Sequence, residues 1–524
     1  MHKSLIGAAV AASLTMGALG SANAQMVIPT DSIENCAVTE SELKGWFAGD
    51  RIEANGWVAP PDGSTFDDST TCDFYKWGQQ MFMWLTSAIP KDGYVLDSPE
   101  IFTVQPAADG MRTMVQNSGD SASMVSVRSA KTGDDIGELA QAGSDGVLVS
   151  QQGSLVYYGI SVNNLMAYFA TGIRNDAPTL TAMTDFPFSQ SNAETVKKYA
   201  DANISKPDTS DFDKTLSMEM KTSWVDASTL VEGTEADYVI IDAVVPNYIA
   251  NGNNTVMSLD KTNPTAQKKL ALVGIHVVGT VKGHPEFVWA TFEHINNAPN
   301  NDYYYLQKAT SGTAGTLTKQ PFSAAGTYLF ANGAAQPATA NVACAVQVSG
   351  SQAGKSPYTG LNAGDLVAIS PMSAANPFSA DPVTAGGPLA CPEGIAPSNT
   401  VRMHPWGGLP NTATAENNSM LISLYTSVAK YLKTSDVRNN YVQIGGIWTN
   451  RPTGATAAPI PNQADFTMAD LRGSVNLYNS TMETYTWEAS PNCFSCHSLS
   501  PGDNSFVAFG LSHIFSELQA LPTK

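Results

Sequence analysis

Cys493-Phe494-Ser495-Cys496-His497 sets two thiols and an imidazole at the spacing that fastens a c-type haem. In that chemistry the two sulfurs add across the vinyl groups of one porphyrin, and the histidine just beyond the second reaches the iron. Competing chemistries need companions that this sequence does not supply. A thioredoxin-like Cys-x-x-Cys requires a βαβ setting, and a zinc site requires further ligand pairs, whereas no second cysteine cluster exists. One motif implies one covalent haem c, which excludes multihaem wires and the usual two-haem peroxidases. His497 stands 27 residues before Lys524, too few to wrap a haem. The expectation is therefore an upstream body that holds the group, with the C-terminal segment as a clasp. A small all-α cytochrome c fold, which needs most of its residues after the motif, is excluded at this position.

What faces the far side of the iron decides between electron transfer, with a second protein ligand, and catalysis at an open position. His513, in "GLSHIFSEL", follows His497 by 16 residues, at the expected start of a short helix capped by Ser512, and ranks first. His276 and His294 come next, then His404 in "MHPWGG", and Met482 last. His284 reads as a surface residue in a turn. His276 with Glu293 is a candidate acid/base pair, because a carboxylate beside an imidazole fixes its tautomer and raises its basicity. The same two residues would serve equally as a polar cross-strand contact.

The elements that must position these groups can be read from periodicity. Phe74, Trp77, Met81, Trp84 and Leu85 form one apolar stripe of a helix in "CDFYKWGQQMFMWLTS". Such a stripe is a core face, and its aromatic content would also suit the wall of a flat cofactor's pocket. "SLVYYGISV" predicts a strand, "NNLMAYFATGI" a short helix, and "DYVIIDAVV" a buried strand ended by Pro246. Leu272 to Val281 and Glu286 to Ile295 predict a hairpin about the turn Lys282-Gly283-His284-Pro285. With Val281 opposite Glu286, His276 falls opposite Thr291, Glu293 becomes its diagonal neighbour, and His294 turns to the other face. "NSMLISLYTSVAKYLKT" predicts an amphipathic helix and "YVQIGGIW" a strand.

These elements divide the chain into a leader (1–24), a β-rich main body (25–308), a loop-rich decorated segment (309–400), and a helix/strand segment (401–524) ending in the haem clasp. The fold class expected is α+β, predominantly antiparallel β with several packed helices and long loops. Lys3, the apolar run Leu5 to Leu19, and Ala22-Asn23-Ala24 describe a secretory signal peptide cleaved after Ala24. The expected location is exported, periplasmic or extracellular, with no membrane span. Charged residues make up 14% of the chain, well below the usual quarter, and 28 basic residues face 47 acidic ones, a net charge of −19. Such a surface repels nucleic acid and anionic membranes. In an oxidising compartment the other four cysteines suggest two disulfides, most locally Cys36–Cys72 and Cys344–Cys391 among three connectivities.

Four stretches, "KTSWVDA" from Lys221, "GIHVVGTVKGHPEFVWATFEHINNAP", "IGGIWTN" and "NSTMETYTWEASPNCFSCHS", resemble a group of secreted bacterial single-haem proteins of the cytochrome c family. The resemblance covers the middle and C-terminal thirds. It implies haem binding and electron transfer, with Cys493 and Cys496 as attachment points and His497 as axial ligand; it implies no substrate. Three functions follow as expectations: an exported electron carrier serving a redox partner protein or a small-molecule donor or acceptor; a haem-dependent oxidase, peroxidase or oxygenase with an open iron; or a binding protein with structural or sensory haem. No nucleophile elbow, P-loop or His-Glu-x-x-His motif competes.

Overall fold

A computed structural model describes residues 25–89, 93–105, 111–117, 125–126, 147–253, 255–260, 262–309, 315–326, 328–333, 335–337, 340–341, 345–349, 367–371, 395–449, 471–484, 492–497 and 508–524. The fold is α+β and mostly antiparallel. Its frame is a ten-stranded sheet of β1 (Ile101–Val104), β2 (Met114–Gln116), β3 (Val125–Ser126), β4 (Tyr157–Asn163), β5 (Met218–Asp226), β6 (Ile240–Pro246), β7 (Thr265–Val281), β8 (His284–His294), β9 (Tyr441–Thr449) and β10 (Leu471–Gly473). The order is β10-β9-β8-β7-β5-β4-β1-β2, with β6 also pairing with β7 and carrying β3 in parallel. The long β7 serves two partners on one edge, Thr265 to Ala271 pairing with β6 and Gly274 to Val281 with β8. Leu270 to Gly279 pair with β5 on the other edge.

The central hairpin takes its inner register from its hydrophobic faces. His276 lies opposite Thr291 on β8 and Lys221 on β5. The turn is tighter than expected. Lys282-Gly283 alone makes it, with Gly283 at φ 86°, and Val281 pairs with His284. The two residues gained are taken up before Gly279 meets Val288, where Phe287 adopts φ 69°, a bulge that returns the pairing to its expected phase. His284 is therefore in a strand, buried, with Nδ1 2.8 Å from the Glu286 carboxylate and its ring edge-on to Phe74; the surface position expected for it is incorrect.

Helices lie on both faces. Those that matter to the site are α1 (Thr71–Leu85), α2 (Asn164–Arg174), α3 (Gln190–Asn203), α4 (Ala415–Tyr431) and the single turn α5 (Cys493–Cys496). The Asp73 carboxylate accepts from the Thr70 N–H and hydroxyl and fixes the start of α1. The helix packs on the side of β8 that carries Ala290 and Phe292. Phe82 stacks on Phe292 at 4.4 Å, and a Cβ at Gly78 would stand 2.8 Å from that of Ala290, so only glycine allows the approach. This aromatic stripe is core, on the face of β8 away from Trp289 and Thr291. The Cys36–Cys72 disulfide is formed, with Cα atoms 5.4 Å apart, and ties the N-terminal segment to the start of α1. Cys344 and Cys391 lie outside the described residues, as does the leader at 1–24. Among the described residues no helix is long and apolar enough to cross a membrane.

On the opposite face a strap, residues 478–484, lies across β5, β7 and β8. Asn479 donates to Thr291 Oγ1 (2.9 Å) and the Phe292 carbonyl (3.1 Å). Thr481 meets the Ser223 hydroxyl at 2.6 Å, and its carbonyl accepts from Tyr158. The strap's strongest anchor is Glu293, whose carboxylate takes the Ser480 N–H and hydroxyl on one side and the Arg402 guanidinium on the other. Both charged side chains are sealed from solvent. Removing one member of a buried pair leaves the other charge uncompensated. Glu293→Gln is expected to lower the unfolding free energy by roughly 3–5 kcal/mol, read from urea denaturation; a loss below about 1 kcal/mol would remove the pair from this role.

Candidate functional site

The Cys-x-x-Cys-His segment begins with Asn492, whose side-chain oxygen accepts from the Ser495 N–H at 3.1 Å and caps the one turn of α5. The His497 N–H donates to the Cys493 carbonyl at 2.8 Å. One turn of helix therefore brings Cys493 and His497 to a common side. Phe494 is fully buried against Trp289, the ring that His497 also meets. Cys493 is partly buried; the side chain of Cys496 lies outside the described residues.

His497 is held from three directions. Its Nδ1 lies 2.9 Å from the Leu511 carbonyl. A carbonyl only accepts, so Nδ1 carries the hydrogen and the neutral ring keeps its lone pair on Nε2. Trp289 lies under the ring at 4.6 Å, and His513 stacks on it at 3.9 Å with the planes 17° apart. The first-ranked partner is thus the one brought to His497. His513 is exposed and is carried by a segment whose neighbours Leu511, Ile514 and Phe515 are buried. The stacked rings meet face to face, so both would hold one iron only if the His513 side chain turned out of the stack on a backbone that stays in place; its exposed position leaves room for that.

The surroundings are apolar and aromatic. Trp289 contacts Phe287 at 6.0 Å, Phe287 contacts Phe186 at 4.6 Å, and Phe186 contacts Phe509 and Phe515 at 5.1 and 5.0 Å. A thiol and an imidazole on one helical turn, a ring nitrogen made basic by a carbonyl on its far side, and an aromatic wall together fit a covalently attached haem.

His276 shares the sheet face of Trp289, two residue pairs along. Its carboxylate partner is Glu483 of the strap, at 3.1 Å from Nε2, and not Glu293, which is committed to Arg402 and Ser480. The carboxylate beside His276 is therefore Glu483 and not the expected Glu293, and Glu483 accepts from the Asn479 N–H at 2.9 Å. His294 points to the other face and has both ring nitrogens engaged, Nε2 with the Asp237 carbonyl and Nδ1 with the Asn296 N–H. Sandwiched by Tyr238 at 3.8 Å and Tyr441 at 5.1 Å, it is not available to an iron near His497. His404 packs against Tyr478 at 5.3 Å, and Met482 is buried in a separate apolar cluster with Tyr158 and Phe330.

Sequence reasoning did not single out Trp289, Glu483 or Glu219. Trp289 could have been found, since the register that set His276 opposite Thr291 also puts residue 289 on the same face. Glu483 could not, because its position depends on the strap. No family model, no curated protein and no solved structure matches the chain.

The buried His294 makes stability depend on pH. Burial drives its pKa from 6.5 down to about 3, because charging the ring would bring a proton to Nδ1, where the Asn296 N–H already donates. Below about pH 6.5 the unfolded chain binds a proton that the folded chain refuses, so stability falls with decreasing pH, by up to about 1.4 kcal/mol per unit, until pH nears 3. His294→Gln should flatten this slope by about one proton between pH 6 and 4 in urea titrations. An unchanged slope would show that His294 is not the group responsible.

Proposed function

We propose that this protein is an exported monohaem c-type cytochrome that transfers electrons, with Cys493 and Cys496 as the thioether attachment points, His497 as one axial ligand and His513 as the other. When bound, the haem would supply a one-electron iron centre. The chain's residues fix the proximal imidazole, exclude water with aromatic rings and offer the second imidazole. The observation that carries this reading is the meeting of His497 and His513 at 3.9 Å with the His497 Nδ1 turned to a backbone carbonyl. The Cys36–Cys72 disulfide suits the oxidising compartment in which haem c is attached. The electron donor or acceptor would be a protein or a small redox molecule.

A second reading, redox catalysis of peroxidase, oxygenase or oxidase type at an open iron, is favoured by one observation. The His276–Glu483 pair stands on the sheet face that carries Trp289, where an acid/base couple would be useful.

The two readings differ in the spectrum of the purified, haem-loaded protein. The carrier is expected to be low-spin when ferric and to ignore carbon monoxide when ferrous, and His513→Ala should convert it to high spin. A parent protein that is high-spin and binds carbon monoxide would favour the enzyme. A low-spin spectrum unmoved by His513→Ala would remove His513 as ligand. Cys493→Ser combined with Cys496→Ser should abolish the haem that stays with the chain on a denaturing gel.

A further inference from the structure

We infer that Glu219, in the middle of β5, is a positioning residue that fixes where His513 stands. It does so through a single hydrogen bond from the Ser512 hydroxyl. The reading of His513 as second axial ligand bears only on the spectral consequence of this arrangement.

Glu219 occupies an unfavourable place for a carboxylate. It pairs with Val162 on β4 and Val278 on β7, inside a largely apolar sheet. Desolvation pushes its carboxyl pKa up, partly offset by the Ser512 hydroxyl and by the charges of Lys221 and Arg112. A carboxylate kept at such a cost needs a partner. A partner comes from far along the chain: Ser512 Oγ donates to Glu219 Oε2 at 2.6 Å. The same hydroxyl accepts from the N–H groups of Phe515 (3.2 Å) and Ile514 (3.4 Å). It therefore knots the turn that contains His513 and pins that turn to β5.

The row of residues across the sheet makes the geometry specific. Glu219 lies opposite Val278, and Val278 lies opposite Trp289. One cross-strand row thus ends on one side in the tryptophan beneath His497 and on the other in the carboxylate beneath Ser512. Both histidines are referred to the same three strands, so their separation is set by the sheet and not by the connecting segment. Anchoring of the rest of the tail is independent of this bond. The Arg112 N–H donates to the Glu517 carbonyl at 2.7 Å and its side chain pairs with the Glu517 carboxylate. Arg174 Nε donates to the Leu518 carbonyl at 2.9 Å. Loss of the Glu219 bond should therefore release the turn at 512–514 and leave the tail docked.

The test uses the full haem-loaded chain and three variants. Glu219→Gln keeps an acceptor for the Ser512 hydroxyl; Glu219→Leu removes it; Ser512→Ala removes the donor. Two readouts are taken: the ferric spin state with carbon monoxide binding after reduction, and the ring resonance of His513, with histidine-selective labelling, in the reduced protein under carbon monoxide, where any five-coordinate fraction is also diamagnetic. Glu219→Leu and Ser512→Ala are expected to shift the His513 resonance and to raise the high-spin, carbon-monoxide-binding fraction severalfold, while Glu219→Gln resembles the parent. A His513 resonance unmoved in the folded Glu219→Leu protein overturns the inference. Should that variant fail to fold, Ser512→Ala decides from the other side of the bond. If the resonance moves but the spin state follows neither these variants nor His513→Ala, the positioning role stands and the axial-ligand reading falls.

Discussion

A carboxylate sealed inside a sheet must be neutralised where it stands, and Glu293 meets that demand by gathering distant parts of the chain. Arg402 approaches from the loop before α4, and Ser480 from the strap that precedes Cys493. Desolvation makes each contact obligatory. The strap is therefore held against β7 and β8 at one fixed place. Gly274 allows this closeness: a Cβ there would stand 2.5 Å from Thr481 Oγ1. The position of Glu483 beside His276 follows from that anchorage.

The sheet then works as a partition. One face is closed by α1 through Phe82, Gly78 and Phe74. The other carries Tyr158, Ser223, His276 and Trp289 and receives the strap, the one-turn α5 and the tail. Strand alternation makes this division possible. In β8, Trp289 and Thr291 serve one side while Ala290 and Phe292 serve the other, although every residue of the strand is buried.

Elements with a clear period were legible in the sequence, and so was the approach of His513 to His497. The stripe from Phe74 to Leu85, the helix around Leu421 to Val428 and the strand at Tyr441 appear as read. The opposition of His276 and Thr291 followed from alternation alone. The hairpin's tip did not. Gly283 signals a turn, but β8 is buried on both faces and so offers no polar/apolar contrast to reveal a bulge at Phe287, and Pro285 argues for a turn when it in fact sits at a strand's start. The choice of Glu483 over Glu293 for His276 was equally hidden. Both acids were candidates, and the decision belongs to Arg402, more than a hundred residues after Glu293.

The ties that dock the clasp span great lengths of chain: 258 residues between Ser223 and Thr481, 293 between Glu219 and Ser512, and 405 between Arg112 and Glu517. Contacts of such separation form slowly, because loop-closure entropy is lost before they reward it. Their receptors, moreover, are not single residues but rows that exist only once β5, β7 and β8 have paired. The segment with Cys493 and Cys496 thus has nowhere to dock until the sheet is complete. The clasp is thus the last of these pieces to close, and its arrival depends on every strand that receives it.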